Sequence, residues 1–334
     1  MNLTTQYLGL TLRNPLVASA GPMTQSVSGI RRLAEAGVGA VVLPSLFEEQ
    51  VRRGAGQDAQ LAETGAESVP DSLTYLPTIG GEAGPRRYLS LIERAVGAVD
   101  IPVIASLNGV TTGGWTDHAT AMEEAGAAAI ELNIYYLPGD PFTPGRDVEQ
   151  RHIQILTTVK AAVSIPVAVK LGPYFSSAGE VAARLDRVGA DGLVLFNRFM
   201  QTDIDPETMT VTTGLRLSTP VEAGPPRSWI ARLRGRVRAS LAASTGVENP
   251  ADVAAYLLAG ADVVMTTSSL LRHGHEHATV LLDGLKVWME RKGFGSVDDL
   301  RGLLSVPADT DGSDFGRSGY LHAIEEATRT FGPR

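Results

Sequence analysis

Ala36-Gly37-Val38-Gly39-Ala40-Val41-Val42-Leu43 is a glycine-led turn followed by a short apolar run, and the pattern recurs. Its other copies are Ala125-Gly126-Ala127-Ala128-Ala129-Ile130-Glu131-Leu132, Val188-Gly189-Ala190-Asp191-Gly192-Leu193-Val194-Leu195 and Ala259-Gly260-Ala261-Asp262-Val263-Val264-Met265-Thr266. Each reads as a helix ending on a left-handed glycine, then a strand buried on both faces. A second pattern alternates with it. Asp100-Ile101-Pro102-Val103-Ile104-Ala105-Ser106-Leu107 matches Ser164-Ile165-Pro166-Val167-Ala168-Val169-Lys170-Leu171, with proline where a strand can start without its N–H. Pro15–Ala20 and Val237–Ala243 are the remaining apolar runs. Eight strands are therefore expected, near 16–20, 40–44, 103–107, 129–133, 167–171, 192–196, 238–243 and 262–266.

Amphipathic helical stretches lie between them: Gly29–Ala36, Tyr88–Ala98, Trp115–Ala125, Val148–Val163, Ser177–Val188 and Pro250–Ala259. Strand–helix alternation with short connections predicts the α/β class and a parallel sheet. Eight strands suit a closed (β/α)8 TIM barrel better than an open sheet. A dinucleotide-binding open sheet would need Gly-x-Gly-x-x-Gly after an early strand. The turn after the first strand instead reads Ala20-Gly21-Pro22-Met23-Thr24. Leu3–Leu12 reads as an N-terminal hairpin closing the barrel bottom. Long loops follow strands 2 and 6, Phe47–Pro85 and Met200–Pro226, and Met209–Leu217 within the second reads as a small β excursion. The tail from Ser296 reads as short helices packed outside, and residues 1–334 as a single domain.

The 334 residues exceed the ~250 typical of one such barrel by the length of those loops. Hydrophobic residues are 43% and charged residues 20%, an ordinary globular balance. Cysteine is absent, which excludes disulfides, zinc thiolates, iron–sulfur clusters and a thiol nucleophile. No apolar run approaches the ~20 residues of a membrane span, and the first residues lack a secretory pattern. The expectation is a cytoplasmic protein with no membrane partner. A net charge of −8 argues against nucleic acid. The basic run Arg232–Arg238 reads as a solvated loop, with phosphate or subunit contact as the other reading. A homodimer is expected, and no metal.

Barrel active sites sit at the C-terminal ends of the strands. Ser244-Thr245-Gly246 and Thr266-Thr267-Ser268-Ser269 end strands 7 and 8 with small hydroxyl residues and glycine. Either loop alone is ordinary helix capping, whereas the two together make the usual barrel phosphate site. Lys170 ends an apolar strand that points into the mouth, where a lysine needs an anion. Asn133 and Asn197 end the strands on either side. An amide–lysine–amide row suits the polar edge of a flavin, whose reduced anion a cation stabilises. Asn108 ends strand 3, and Arg198 follows Asn197, where it could grip a substrate carboxylate. His273-Gly274-His275-Glu276-His277 reads as a solvated helix start rather than a metal site.

Several segments together resemble the dihydroorotate dehydrogenase family of FMN-binding barrels, and most closely its dihydroorotate dehydrogenase-like subgroup. They are Leu8-Gly9-Leu10, Asn14–Gly21, Ser45–Gln50, Ile104–Gly109, Glu131-Leu132-Asn133, Val169-Lys170-Leu171, Asn197, Thr245-Gly246 and Thr267-Ser268. The resemblance implies FMN as cofactor. Ala18, Ser19 and Ser45 would line the flavin, with Asn108 beside them. Asn133, Lys170 and Asn197 would contact its polar edge, and Thr245, Gly246, Thr267 and Ser268 would hold its phosphate. Residues Leu137–Arg146 would form a lid.

The departures concern the substrate side. The family's Cys or Ser base falls on Tyr136, and a second lysine falls on Pro44. The asparagine motif that grips orotate has no clear counterpart in Leu76–Arg86, and a lid asparagine reads Pro138. Tyrosine, with a reference pKa of about 10, is a poor base at neutral pH and a reasonable proton donor. The expected chemistry is therefore FMN-dependent redox at a CH–CH or C=C bond of a small polar substrate, within pyrimidine metabolism by resemblance. Tyr136 or Tyr135 would give the proton, and dihydroorotate or orotate is the default substrate. The alternatives are a Schiff-base aldolase using Lys170 and a flavin-binding pseudo-enzyme.

Overall fold

The computed structural model describes residues 1–50, 84–109, 115–136, 140–198, 201–214, 216–310 and 312–332. Most of the expected loop after strand 2, the tip of the expected lid (137–139), residues 76–83 of the orotate-motif region and parts of the loop after strand 6 lie outside them.

The N-terminal hairpin is β1 (Thr5–Tyr7) and β2 (Leu10–Leu12), joined by Leu8 and Gly9, both at positive φ. The barrel follows as β3 (Leu16–Ala18), β4 (Ala40–Val42), the short β5 (Leu46–Phe47), β6 (Val103–Asn108), β7 (Ala129–Asn133), β8 (Val167–Leu171) and β9 (Gly192–Leu195). A surface hairpin, β10 (Gln201–Asp205) and β11 (Thr210–Gly214), precedes β12 (Ser240–Ala243) and β13 (Val263–Thr266). The parallel order β4-β3-β13-β12-β9-β8-β7-β6 closes through β4–β6, giving the eight-stranded (β/α)8 TIM barrel of the α/β class. Among the described residues β5 pairs only with the end of β6.

Alternate residues of each strand face opposite sides. Leu16, Val41, Val103, Ile130, Val169, Leu193 and Leu241 pack outward with the helices. Val17, Val42, Ile104, Ala129, Ala168, Val194, Ala242, Val263 and Met265 face inward and meet Tyr7, Leu8 and Leu12 of the hairpin. The hairpin thus plugs the barrel bottom. A Cβ on Gly192 would lie 2.5 Å from Leu8 Cδ2, so the glycine makes room for the plug. Leu8 N–H donates to Ser240 Oγ at 3.1 Å.

The aspartates of the glycine-led repeats have a bottom-end role. Asp191 accepts from Val167 N–H at 2.7 Å, while its own N–H donates to Val167 O. Asp262 does the same with Leu241 N–H at 2.8 Å and also pairs with Arg234 and Arg301. The basic run is spent on this rim. Arg234 also reaches Gly260 O, Arg236 holds Pro307 O and Thr310 O, and Arg238 pairs with Asp186.

Four details depart from the sequence expectation. β12 begins at Ser240, because the N–H groups of Arg238 and Ala239 both donate to Asp186 Oδ1 instead of a ladder. A helix spans Gly224–Leu233, with Pro225 and Pro226 in its first turn, where proline costs no hydrogen bond. Ser268–His273 forms a further short helix after β13, while the helix His277–Lys292 begins at the histidine cluster that reads as a helix start. The tail holds one short helix, Val297–Leu300, and a long one, Gly312–Phe331, exposed from Arg317 to Phe331 rather than packed. No helix of the described residues is long and apolar enough to cross a membrane.

Asp262 joins two strands and two arginines with a carboxylate that is nearly buried. Asp262→Ala is expected to cost about 1–3 kcal/mol, since it leaves the buried Leu241 N–H without its acceptor. Urea unfolding reads this as a lower midpoint at an unchanged slope.

Candidate active site

The C-terminal strand ends surround one cleft of about 740 Å³ including its open mouth. It runs from Lys170 and Asn197 to the ends of β12 and β13.

At the β12–β13 end, hydroxyls and backbone N–H groups converge. Ser218 N–H and Oγ both meet Ser268 Oγ at 3.0 Å, and Gly246 N–H donates to Ser218 Oγ at 3.3 Å. Thr267 Oγ1 donates to Ser19 O at 2.9 Å, tying β13 to β3. Thr245 and Gly246 have φ of 84° and 74°, so the chain turns through left-handed geometry that disfavours side chains. The strained Thr245 is held by Tyr256, whose buried hydroxyl donates to Thr245 O at 2.6 Å. A Cβ on Gly246 would lie 2.9 Å from both Thr219 O and Ala223 N, so only glycine fits this cradle. Arg272 braces the end by donating to Ser218 O while pairing with Glu248.

At the other end, polar residues form a connected row on the inner face. Asn197 Nδ2 donates to Asn133 Oδ1 at 2.6 Å, and Asn133 Nδ2 to Ser45 Oγ at 3.4 Å. Ser45 Oγ meets Ser106 Oγ at 2.8 Å, and Arg198 N–H donates to Asn197 Oδ1 at 3.0 Å. Both amides are thereby fixed in orientation. Lys170 Nζ stands beside them, 3.4 Å from Ser19 Oγ and 3.4 Å from Glu131 Oε1.

Ser19, Lys170, Asn197, Arg198, Thr245, Gly246, Thr267 and Ser268 all line the cleft. Asn133 and Ser45 join the row just described, and Asn108 ends β6 beside Phe47 of β5. Ala18 turns its methyl into the outer layer, so only its backbone faces the strand end. Arg198 is held by Glu222 at 2.8 Å and by Arg216 O. Neither Tyr135 nor Tyr136 lines the cleft. The Tyr136 ring packs against the core beside the helices, with the Arg151 guanidinium 4.1 Å from its centroid. His273 and His277 both contact Glu248, on the flank of Arg272.

Three site residues were not singled out from sequence. Ser218 lies in a long loop and resembles a helix-capping serine before Thr219-Pro220. Tyr256 reads as a core aromatic of a helix. Glu131 stands in a recognisable Glu-Leu-Asn segment, yet alternation alone could have placed it inward with Asn133.

A model of the family described as dihydroorotate dehydrogenase matches residues 2–289. The chain is similar to the catalytic subunit of dihydroorotate dehydrogenase B (NAD(+)) of Methanothermobacter thermautotrophicus, 28% identical over 90% of this chain and 98% of that protein. The corresponding subunit of Methanocella arvoryzae is 28% identical over 91% and 98% of the two chains. Dihydroorotate dehydrogenase A (fumarate) of Limosilactobacillus reuteri is 25% identical over 89% and 96%.

Gly246→Ala is expected to destabilise the protein by about 1–3 kcal/mol through strain at positive φ. It should also weaken retention of a phosphorylated ligand at least tenfold. Thermal unfolding and equilibrium dialysis with FMN check both effects.

Proposed function

The chain belongs to the dihydroorotate dehydrogenase family, and from that premise we propose an FMN-dependent oxidoreductase acting on a CH–CH or C=C bond of a small polar substrate. The observation that carries the reading is the locked Asn197–Asn133–Ser45 row with the Lys170 ammonium beside it. The donor set fits the cofactor at both ends. A flavin edge offers carbonyls and ring nitrogens to fixed amides and a cation, and at the other end a phosphate would take over the Ser218–Ser268 and Gly246–Ser218 hydrogen bonds that those hydroxyls and N–H groups make with one another.

Bound FMN would supply the two-electron carrier. Asn133 and Asn197 would orient its ring through amides already fixed by their own hydrogen bonds. Lys170 would hold negative charge at the ring edge. Ser19, Ser45 and Asn108 would line the ring, with the Ala18 backbone beside them. Arg198 would offer its Nη2 to a substrate carboxylate, its Nε and Nη1 being committed to Glu222 and Arg216 O.

The substrate side differs from the family pattern, with Tyr136 at the base position and Pro44 at the second lysine. We therefore favour reduction of an activated C=C bond, with dihydroorotate/orotate as the first pair to test. Tyr136 and Tyr135 are the proton donors the resemblance suggests, and because neither lines the cleft in this structure, either would have to turn toward the substrate to act. A Schiff-base role for Lys170 is disfavoured by the Glu131 contact, since an ion-paired ammonium has no lone pair for a carbonyl.

Purified protein should carry the absorption bands of oxidised flavin and release FMN on denaturation. Colourless protein trapped covalently by borohydride plus a ketone would overturn this in favour of the aldolase. Tyr135→Phe or Tyr136→Phe should slow reoxidation of the reduced flavin by an enone or orotate about 10²–10⁴-fold, the usual worth of a general acid. Unchanged rates in both variants would remove the tyrosines from the mechanism.

A further inference from the structure

We propose that Glu131 is a positioning residue that holds the Lys170 ammonium down in the barrel and so limits the charge that Lys170 presents to the flavin edge. The inference rests on the flavin reading above.

In the β7–β8 register Glu131 lies opposite Ala168 and Asn133 opposite Lys170. Alternation therefore puts all three polar side chains on the inner face, with Glu131 one step deeper. Its inward-facing neighbours are apolar below, at Ala129 and Ile104, and across the ladder, at Ala168. Glu131 is 1% exposed there, where an unpaired carboxylate is costly by several kcal/mol. Its Oε1 meets Lys170 Nζ at 3.4 Å, and its Oε2 has no hydrogen-bond partner among the described residues.

The other titratable groups near it are phenols. Burial, and then the charge of Glu131 itself, push Tyr7 well above its ordinary range. Burial does the same to Tyr88, whose hydroxyl is bound to the backbone of Ser106. Both phenols stay neutral at physiological pH, so Lys170 is the cation available to Glu131 among the described residues. Among the described residues the lysine has two polar side-chain contacts, both long, one down to Glu131 and one sideways to Ser19. It is drawn inward by the carboxylate without being saturated by it. Removing that pull frees the ammonium to approach the ring edge, where it would stabilise the reduced anion.

The test compares FMN-loaded wild type, E131Q, K170Q and E131Q/K170Q by spectroelectrochemical titration. E131Q should raise the ratio of reduced to oxidised flavin about tenfold at a fixed potential, a shift of about +30 mV for a two-electron couple. K170Q should move the ratio the other way, and the double variant should match K170Q. An E131Q potential equal to wild type overturns the inference. So does an E131Q shift that persists undiminished in the double variant, because the carboxylate would then act on the ring by itself.

The FMN-free protein gives a second readout, the rate at which methyl acetimidate modifies Lys170, mapped by mass spectrometry. E131Q should accelerate it several-fold, and an equal rate overturns the inference. Wild type that takes up no FMN counts against the proposed function, and the amidination rates then decide the Glu131 role alone. If E131Q fails to fold while the double variant folds, the uncompensated lysine is the cause, as expected. If both fail while K170Q folds, Glu131 serves the barrel rather than the lysine, and the inference falls.

Discussion

Closing eight parallel strands into a ring commits every second residue of each strand to the interior. A small barrel must fill that interior with side chains, and this chain fills it in two ways. The lower half is apolar, with small alanines and larger Val, Ile and Met residues completed by Tyr7, Leu8 and Leu12 of the hairpin. The upper half is polar, with Ser106, Glu131, Asn133 and Lys170 on the same inner faces. The plug frees the upper layer from a packing role. The serines and asparagines there satisfy one another through a connected set of hydrogen bonds, which makes burying them tolerable, whereas Glu131 keeps one carboxylate oxygen without a hydrogen-bond partner among the described residues.

The two ends of the cleft are built by different means. The amide end is a side-chain network carried by the ends of regular strands, and its geometry follows from the ladder. The β12–β13 end, where we propose the phosphate sits, is made by loops, and its shape depends on left-handed backbone at Thr245 and Gly246 clamped by Tyr256, Ser218 and Arg272. Both ends suit one elongated ligand with a polar planar edge and an anionic tail. On the proposed substrate side the resemblance puts Pro44 and Tyr136 where the family carries a lysine and its base, and Tyr136 is stacked beneath Arg151. The cofactor reading therefore rests on more residues than the reaction does.

Much of this was legible in the sequence. The glycine-led repeats mark four of the strands, the Ile-Pro pattern two and plain apolar runs the other two, and all eight barrel strands fall within a few residues of their expected places. Lys170, Asn133 and Asn197 were legible because they end those strands. What was hidden depended on contacts distant along the chain. Asp186 takes two N–H groups that would otherwise have extended β12, and proline at a helix start reads like proline in a loop. Ala18 was assigned to the flavin by its position in a motif, whereas strand alternation turns its methyl outward. Ser218 reaches the β12–β13 end across dozens of residues, and no local pattern announces that.

The central claim is that one cleft recognises a planar edge and a phosphate together. Titrating FMN-free protein with FMN and with riboflavin, at one ionic strength, tests it most directly. Two charge-assisted hydrogen bonds to the phosphate, each about 1.5–3 kcal/mol, imply that FMN binds at least about a hundredfold more tightly. Equal affinity for the two flavins, or binding of neither, would contradict the account.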